Sequence, residues 1–370
     1  MAVDEVGLHV QGMEVVMFLQ DRLQNLALIV VLVLLSSVLL EPTIRLAYRI
    51  GLVDKPDTSR KLHSKTTAYM GGAILWFGMS LALIAGTLLK GWGTFGWILA
   101  AFTILFATGI VDDAVNLRPS TKLVFQIAAV VLMVLERMLS IPSFGWNLPS
   151  CLSVVVLVIV GTGVVNAFNL IDGLDGLSLG LGILTATPLF LYGLGSGDIV
   201  GIVIGLAFVA TATGLLRGNL HPAKIFLGDS GSLLIGGVVF ALALRQAGPG
   251  DGLFEHLYRS IIPLAVCIPT VDMVLVMIRR WRNRVPVFQG DRSHLHHRLQ
   301  RVGLTHEQTV GWIHAAMTVV VVFEIIIGLM GISAGWNLVL LGLWCGTYAA
   351  LADVENSRKP SIQKGVVHVP

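Results

Sequence analysis

The chain is predicted to be all-α, a polytopic bundle of about eleven transmembrane helices, and three observations carry that reading. Of its 370 residues 55% are hydrophobic and only 13% are charged, with a mean hydropathy of +0.82. Apolar runs of about 20 residues, the length a helix needs to cross a bilayer, recur from end to end. The runs are continuous and not alternating, which excludes a β-barrel. No soluble domain of this size has such a composition.

The spans fall at about 24–47, 69–89, 95–111, 121–138, 150–168, 176–193, 198–216, 229–246, 258–278, 310–331 and 334–352. The unbroken run from Leu26 to Leu35 opens the first. Residues 1–22, with Asp4 and Glu5, lack the basic start and small-residue cleavage site of a signal peptide and read as a retained polar lead-in. The 41 glycines point to close helix packing in lipid. Cys151, Cys267 and Cys345 all lie in apolar runs and read as small buried hydrophobes. The longest stretch between spans, 279–309, is too short to fold alone. One integral-membrane domain is therefore expected over 1–370, ending in a tail at 353–370.

Charge orients the bundle. One alternate set of loops (48–68, 112–120, 169–175, 217–228, 279–309 and the tail) holds about twenty of the 25 basic residues, which places it in the cytoplasm. The N-terminus is then outside and the C-terminus inside. Every acidic and histidine motif falls on the cytoplasmic face.

Those motifs carry the chemistry. A carboxylate in hydrocarbon is costly, so several at one depth need a reason. Asp112-Asp113 at a span end suits Mg²⁺ or phosphate handling. In Asn166-Ala-Phe-Asn169-Leu-Ile-Asp172-Gly-Leu-Asp175-Gly176, spacings of three align Asn166, Asn169 and Asp172 on one side of a helix that extends that far. Their oxygens suit a metal, and their acceptors suit a base or a sugar. From Arg217 to Ser232, Gly228 and Gly231 flank Asp229 at the start of a span whose free N–H groups favour phosphate. A carboxylate beside phosphate needs a bridging cation, so a metal-diphosphate complex is expected there. Phe226 reads as a base-stacking surface or an ordinary interfacial aromatic. His294, His296 and His297 lie in an Arg-rich loop. Their spacing cannot aim three rings at one ion, so a cation cluster for diphosphate and sugar fits better than zinc. The basic loop from Asp54 to Lys65, before Gly71-Gly72, suits an anionic headgroup or a topology anchor.

In this order and spacing, the Asp54–His63 loop with Gly71-Gly72, Val111-Asp112-Asp113 with Lys122, Asn166–Leu177, Phe226–Ser232 and Asp291–His297 resemble the polyprenyl-phosphate N-acetylhexosamine-1-phosphate transferase superfamily, glycosyltransferase family 4. The resemblance covers about residues 45–350 and is strongest to the WecA/TagO-like branch, because the branch of peptidoglycan synthesis ends its histidine loop differently. Val285 to Gly290 departs from the branch's usual lead-in. The resemblance implies that Asp229 and Asn169 hold Mg²⁺, with Mn²⁺ as a substitute. It implies that Asp175 and Phe226 hold the uracil, with Asn166, Asp172, Asn219 and Lys61 in the substrate pockets. Lys122 would meet the acceptor phosphate, Asp112 and Asp113 would be the catalytic acids, and Arg292, His294, His296 and His297 would contact diphosphate and amino sugar.

The implied reaction joins UDP-GlcNAc to undecaprenyl phosphate and releases UMP, the first membrane step of an envelope polysaccharide such as O-antigen, common antigen or teichoic acid. The alternatives are a phospho-MurNAc-pentapeptide transferase, another UDP-amino-sugar donor or, in another class, a secondary transporter. The implied setting is the bacterial cytoplasmic membrane, with no nucleic acid partner; a homodimer is compatible with the resemblance.

Overall fold

The computed structural model describes residues 29–54, 66–90, 92–140, 150–246, 267–286 and 294–330, with isolated positions between 339 and 350. Among these residues the helices are α1 (Ile29–Ile50), α2 (Gly71–Lys90), α3 (Trp92–Val115), α4 (Pro119–Ser140), α5 (Ser150–Ile171), α6 (Leu177–Ser196), α7 (Ile199–Asn219), α8 (Gly228–Leu244), α9 (Ile268–Arg282), α10 (Leu295–Arg301) and α11 (His306–Met330). Eight of them, α1 to α7 and α11, are long and apolar enough to cross a membrane. Their outward faces agree: Phe77, Leu81, Ile84 and Leu88 of α2, spaced by three and four, form one exposed apolar stripe. Apolar outside and inside, this is an integral membrane protein.

α8 is the hub. It spans only Gly228–Leu244, and every residue of it but Asp229 is buried. A helix that is apolar all round sits inside a bundle; here α2, α3, α5, α6 and α7 all pack on it. Two close approaches explain the glycines. A Cβ on Gly109 of α3 would run into the backbone of Ser230, and one on Gly72 of α2 would strike the Gly231 amide. The N-terminal turn of α8, which carries Asp229, is thereby pinned between α2 and α3.

Three short strands lie beside that turn, a feature not expected from the apolar pattern. β1 (Val53–Asp54) pairs antiparallel with β2 (Thr67–Tyr69), and β2 pairs parallel with β3 (Ile225–Phe226), Tyr69 opposite Phe226. They satisfy the backbone groups of the segments leading into α2 and α8, which sit where lipid could not. At the far end of the bundle, buried Arg245 pairs with Glu136 at 2.6 Å and Asp198 at 2.9 Å, tying the end of α8 to α4 and to the α6–α7 turn.

Several expected boundaries shift. α3 continues through Asp112 and Asp113, and α5 through Asn169, so these groups stand on the last helical turns and not in loops. The loop expected at 279–309 contains the end of α9, all of α10 and the start of α11. α9 carries Arg279, Arg280 and Arg282 in its last turn and is not among the eight apolar helices. Residues 258–266 of the span expected at 258–278 and most of the span expected at 334–352 lie outside the described residues, as do the 1–22 lead-in and the 353–370 tail.

Candidate active site

Four helix ends bring their polar side chains to one point. Lys122, in the first turn of α4, is the centre. Its ammonium donates to Asp112 Oδ2 at 3.1 Å, to Asn169 Oδ1 at 2.9 Å and to Asp229 Oδ2 in a still shorter contact. Asn169 Nδ2 closes the ring by donating to Asp229 Oδ1 and to Ser232 Oγ, both at 2.9 Å. The carboxyl groups of Asp112 and Asp229 lie within hydrogen-bonding reach of each other.

The two neighbouring aspartates do different things. Asp112 faces the ring and also accepts from the Leu117 amide at 2.7 Å, which fixes its orientation. Asp113 turns the other way: its Oδ1 accepts from the Asp229 amide at 2.8 Å and its Oδ2 from the Ser230 amide at 3.3 Å. It caps α8 from another helix, where a negative charge also favours the helix dipole. This corrects the expectation that free N–H groups at this helix start await phosphate: two of them already belong to Asp113. Gly228 is part of the device. It has φ of +68°, and a Cβ there would stand 2.5 Å from the Asp113 carboxylate.

The expected residues that surround this ring separate into groups. Asp172 follows the last residue of α5. Burial, and then the negative charges of Asp229, Asp113 and Asp175, hold its carboxyl well above the ordinary range. Asp175 lies further along the same turn and accepts from His221 Nδ1 at 2.8 Å and from the Ala223 amide at 3.0 Å. Asn219 is buried; its Oδ1 accepts from the Gly176 amide at 3.2 Å and its Nδ2 donates to the Ile225 carbonyl at 2.9 Å. It joins the turn to β3 and so sets the position of Phe226. Asn166 is one turn back along α5, about 4.5 Å deeper, where its amide pairs with Gln126 of α4 at 2.8 Å. Lys61 and Arg292 lie outside the described residues.

The histidine run docks on the Asp172–Gly173 turn. His296 is 1% exposed, and neither ring nitrogen has a hydrogen-bond partner among the described residues. Its Nε2 lies over Gly173 so closely that a Cβ there would collide with it. Burial, then His297, His294 and His306, hold its pKa well below the ordinary 6.5. The His297 ring is 4.1 Å from that of His296, centre to centre. The sign of the pH effect follows. Below about 6.5 the unfolded chain binds a proton at this position that the folded chain refuses, so stability falls as pH drops from 6.5 toward the depressed value. His296→Gln is expected to flatten the acid side of a melting-temperature profile, by at most about 1.4 kcal/mol per pH unit. Parallel wild-type and variant profiles between pH 7.5 and 5.5 would contradict this.

Two further residues had no place in the sequence reading. Tyr69, just before Gly71-Gly72, faces the same acids. Burial and the charges of Asp113, Asp172 and Asp229 push its phenol from 10.0 up to about 12, so it remains a neutral donor. Its ring meets Phe226 at 5.7 Å, tilted. Asp272 of α9 is the second. Its Oδ2 is 2.7 Å from His294 Nδ1 and its Oδ1 accepts from the Leu295 amide at 2.9 Å, all buried. A carboxylate only accepts, so this contact holds the proton on Nδ1 and leaves Nε2 as the unprotonated nitrogen. The signal was available: Asp272 is the one acid inside the span expected at 258–278, and an intramembrane acid is functional by default. Asp272→Asn is expected to lower kcat about 10- to 100-fold, the usual effect of losing an orienting partner. Because Asp272 acts through His294, His294→Ala with Asp272→Asn should be no worse than His294→Ala alone; additive losses would sink the pairing.

Comparisons with known proteins place the chain in a family. The description "Glycosyl transferase family 4" matches residues 95–247, the stretch from α3 to α8 that supplies the ring. A Bacillus subtilis protein named a probable undecaprenyl-phosphate N-acetylglucosaminyl 1-phosphate transferase is 32% identical over 306 residues, covering 79% of this chain and 82% of its own. The chain belongs to glycosyl transferase family 4. The Mycobacterium tuberculosis H37Rv decaprenyl-phosphate N-acetylglucosaminephosphotransferase is 33% identical over 300 residues, 73% of this chain and 74% of its own. The Yersinia pestis undecaprenyl-phosphate alpha-N-acetylglucosaminyl 1-phosphate transferase is 31% identical over 278 residues, 71% and 73%. These relatives of the family 4 enzyme are phosphoglycosyltransferases, and the family is one of metal-dependent transferases.

The ring fits a divalent cation. The acceptors of the ring, on Asp112, Asn169 and Asp229, are hard oxygens, the donor set of Mg²⁺. The Lys122 ammonium already stands among three of them, which shows that the point is built for positive charge.

Proposed function

We propose that this enzyme transfers N-acetylglucosamine 1-phosphate from UDP-GlcNAc to undecaprenyl phosphate, releasing UMP, at the cytoplasmic face of a bacterial membrane. The observation that carries the proposal is the ring of Asp112, Lys122, Asn169 and Asp229, from four different helices and at their ends. Such a place suits a substrate whose phosphate is polar and whose tail is lipid. A transporter would hold its acids near the bilayer midplane in broken helices, and here they stand on terminal turns.

In this reading an oxygen of the lipid phosphate attacks the sugar-bearing phosphorus of the diphosphate. A new P–O bond forms, the P–O–P bond breaks, and UMP leaves with the electron pair. Asp229 with Asn169 would hold Mg²⁺ or Mn²⁺, which supplies neutralisation of the diphosphate charge. Lys122 attracts the acceptor phosphate, already an oxyanion, so no strong base is needed. Asp112 holds Lys122 and orients the incoming phosphate. Both oxygens of Asp112 are engaged, with Leu117 and Lys122, and both of Asp113 with α8 amides. The acceptor phosphate is itself the nucleophile in this reading, so the reaction is written as a single displacement and not as a route through an aspartyl-phosphate. In this reading Tyr69 and Phe226 line the uracil side with Asp175, while His294, His296 and His297 serve the diphosphate and sugar, the role also proposed from sequence for Arg292.

The test is UMP release by the purified protein in detergent with Mg²⁺, undecaprenyl phosphate and a donor panel. UDP-GlcNAc should be turned over fastest, ahead of UDP-GalNAc, UDP-MurNAc-pentapeptide and UDP-linked dideoxy amino sugars; no UMP from any donor would refute the reaction. The proposed orientation, with eleven spans and the N-terminus outside, rests on about twenty basic residues sharing one set of loops. On a background with Cys151, Cys267 and Cys345 replaced, Ser120→Cys and Ser293→Cys should react only with membrane-permeant thiol reagents. Gly250→Cys should react with impermeant ones in intact cells. Labelling at 293 from outside would overturn the topology and remove the site from its nucleotide donor.

A further inference from the structure

We propose that Asp175, His221 and His306 form a second, transition-metal site at the rim of the nucleotide pocket, and that Zn²⁺ bound there shuts the pocket. The three residues come from separate segments: the turn after α5, the loop between α7 and β3, and the first residue of α11. One ligand atom from each lies within 4.8 Å of the others. His221 Nδ1 is 2.8 Å from Asp175 Oδ2, and His306 Nε2 is 3.4 Å from the Asp175 carbonyl. The two imidazole rings stack with centres 4.1 Å apart and planes 23° apart. Glu307 brings a second carboxylate, with Oε1 3.6 Å from His221 Nε2.

The donor chemistry separates this cluster from the Lys122 ring. Two imidazoles with one or two carboxylates are the ligand set of zinc and its neighbours, which take nitrogen and oxygen in tetrahedral sites. Mg²⁺ prefers oxygen alone in an octahedron, and the Asp229–Asn169 pair offers only oxygen to a cation. The two sites therefore sort metals by ligand type. The cluster also has an entry path: the side chains of His221 and Asp175 are 38% and 16% exposed. It is distinct from the histidine run of α10, where His294 is committed to Asp272.

Its consequence comes through Asp175, and this part rests on the proposed function, in which that carboxylate holds the uracil. A metal taking Asp175 removes it from the base. It also staples the start of α11 to the loop that leads into β3 and Phe226. Zinc should then compete with the nucleotide sugar, raising its KM with little change in kcat.

The experiment is a Co²⁺ titration of the full-length, tag-free protein in saturating Mg²⁺, followed by visible absorption. Wild type should show the intense bands of nitrogen-ligated, four-coordinate Co²⁺, one ion per chain, displaced by Zn²⁺. His306→Ala and His221→Ala should weaken binding at least tenfold, and His306→Gln provides a variant closer in shape should alanine impair folding. Equal Co²⁺ binding by wild type and the double His221→Ala, His306→Ala variant would overturn the site. So would the absence of such bands in wild type. UDP-GlcNAc should lower Co²⁺ affinity; unaltered affinity at saturating UDP-GlcNAc would overturn the blockade. UMP release in Mg²⁺ with a zinc chelator reports on the transferase reaction alone, so the two proposals fail separately.

Discussion

Asp229→Asn is expected to fold with a near-normal melting temperature and to lose about 10²–10³-fold in turnover, the usual effect of removing one directed electrostatic contact. The amide keeps the shape and still accepts through one oxygen. It loses the charge that, in the proposed function, holds a cation against diphosphate. It also places an NH₂ group against either Lys122 Nζ or Asn169 Nδ2, both donors in the ring. Raising Mg²⁺ should recover part of the loss if the residue is a ligand, because weaker binding is then the main defect. Turnover above about a tenth of wild type would count against the ligand role. So would full loss that accompanies a collapsed melting transition, since the defect would then lie in the packing of α8.

How much of this was legible from residues alone depends on what each feature rests on. The apolar runs mark α1 to α7 and α11 because burial in lipid is a property of composition and length. The motif acids were found because charge at a span end is anomalous wherever it occurs. The partners of those acids were not legible, since they depend on how four helices cross. Asp112 and Asp113 read as one catalytic pair, although neighbours on an α-helix point about 100° apart and here serve a ring and a helix cap. Asn166 and Asn169 share a helix face, but a three-residue step changes depth, and depth decides that one meets Gln126 and the other Asp229. Tyr69 enters through a three-residue strand that no periodicity marks. His221 and His306, 85 positions apart in sequence, meet at Asp175 only because α11 starts beside the α5–α6 turn. Asp272 is the one omission that a stricter use of depth would have prevented.

The division of labour between Asp112 and Asp113 gives the second large effect. Asp112→Asn should lower turnover about 10²-fold or more while leaving the melting temperature almost unchanged. Its carboxylate is the acceptor for Lys122 Nζ at 3.1 Å, and an amide nitrogen turned toward that ammonium would displace it from Asn169 and Asp229. Asp113→Ala should show the opposite balance first. It leaves the Asp229 and Ser230 amides without their acceptors. Loss of a cap costs about 0.5–2 kcal/mol, and each buried donor left unpaired about 1–3 kcal/mol, so a clear fall in melting temperature is expected. Activity should fall with it, because the amide released is that of Asp229 itself, and the carboxylate proposed to hold the cation moves when its own backbone is no longer anchored. Asp113→Asn, which keeps one acceptor for the Asp229 amide, should recover part of the stability lost in Asp113→Ala and part of the activity together. The corresponding change at Asp112 has no such route to recovery, since the defect there is one of charge. If Asp113→Asn is instead fully stable and as inactive as Asp112→Asn, Asp113 acts on the substrate directly and the cap is incidental.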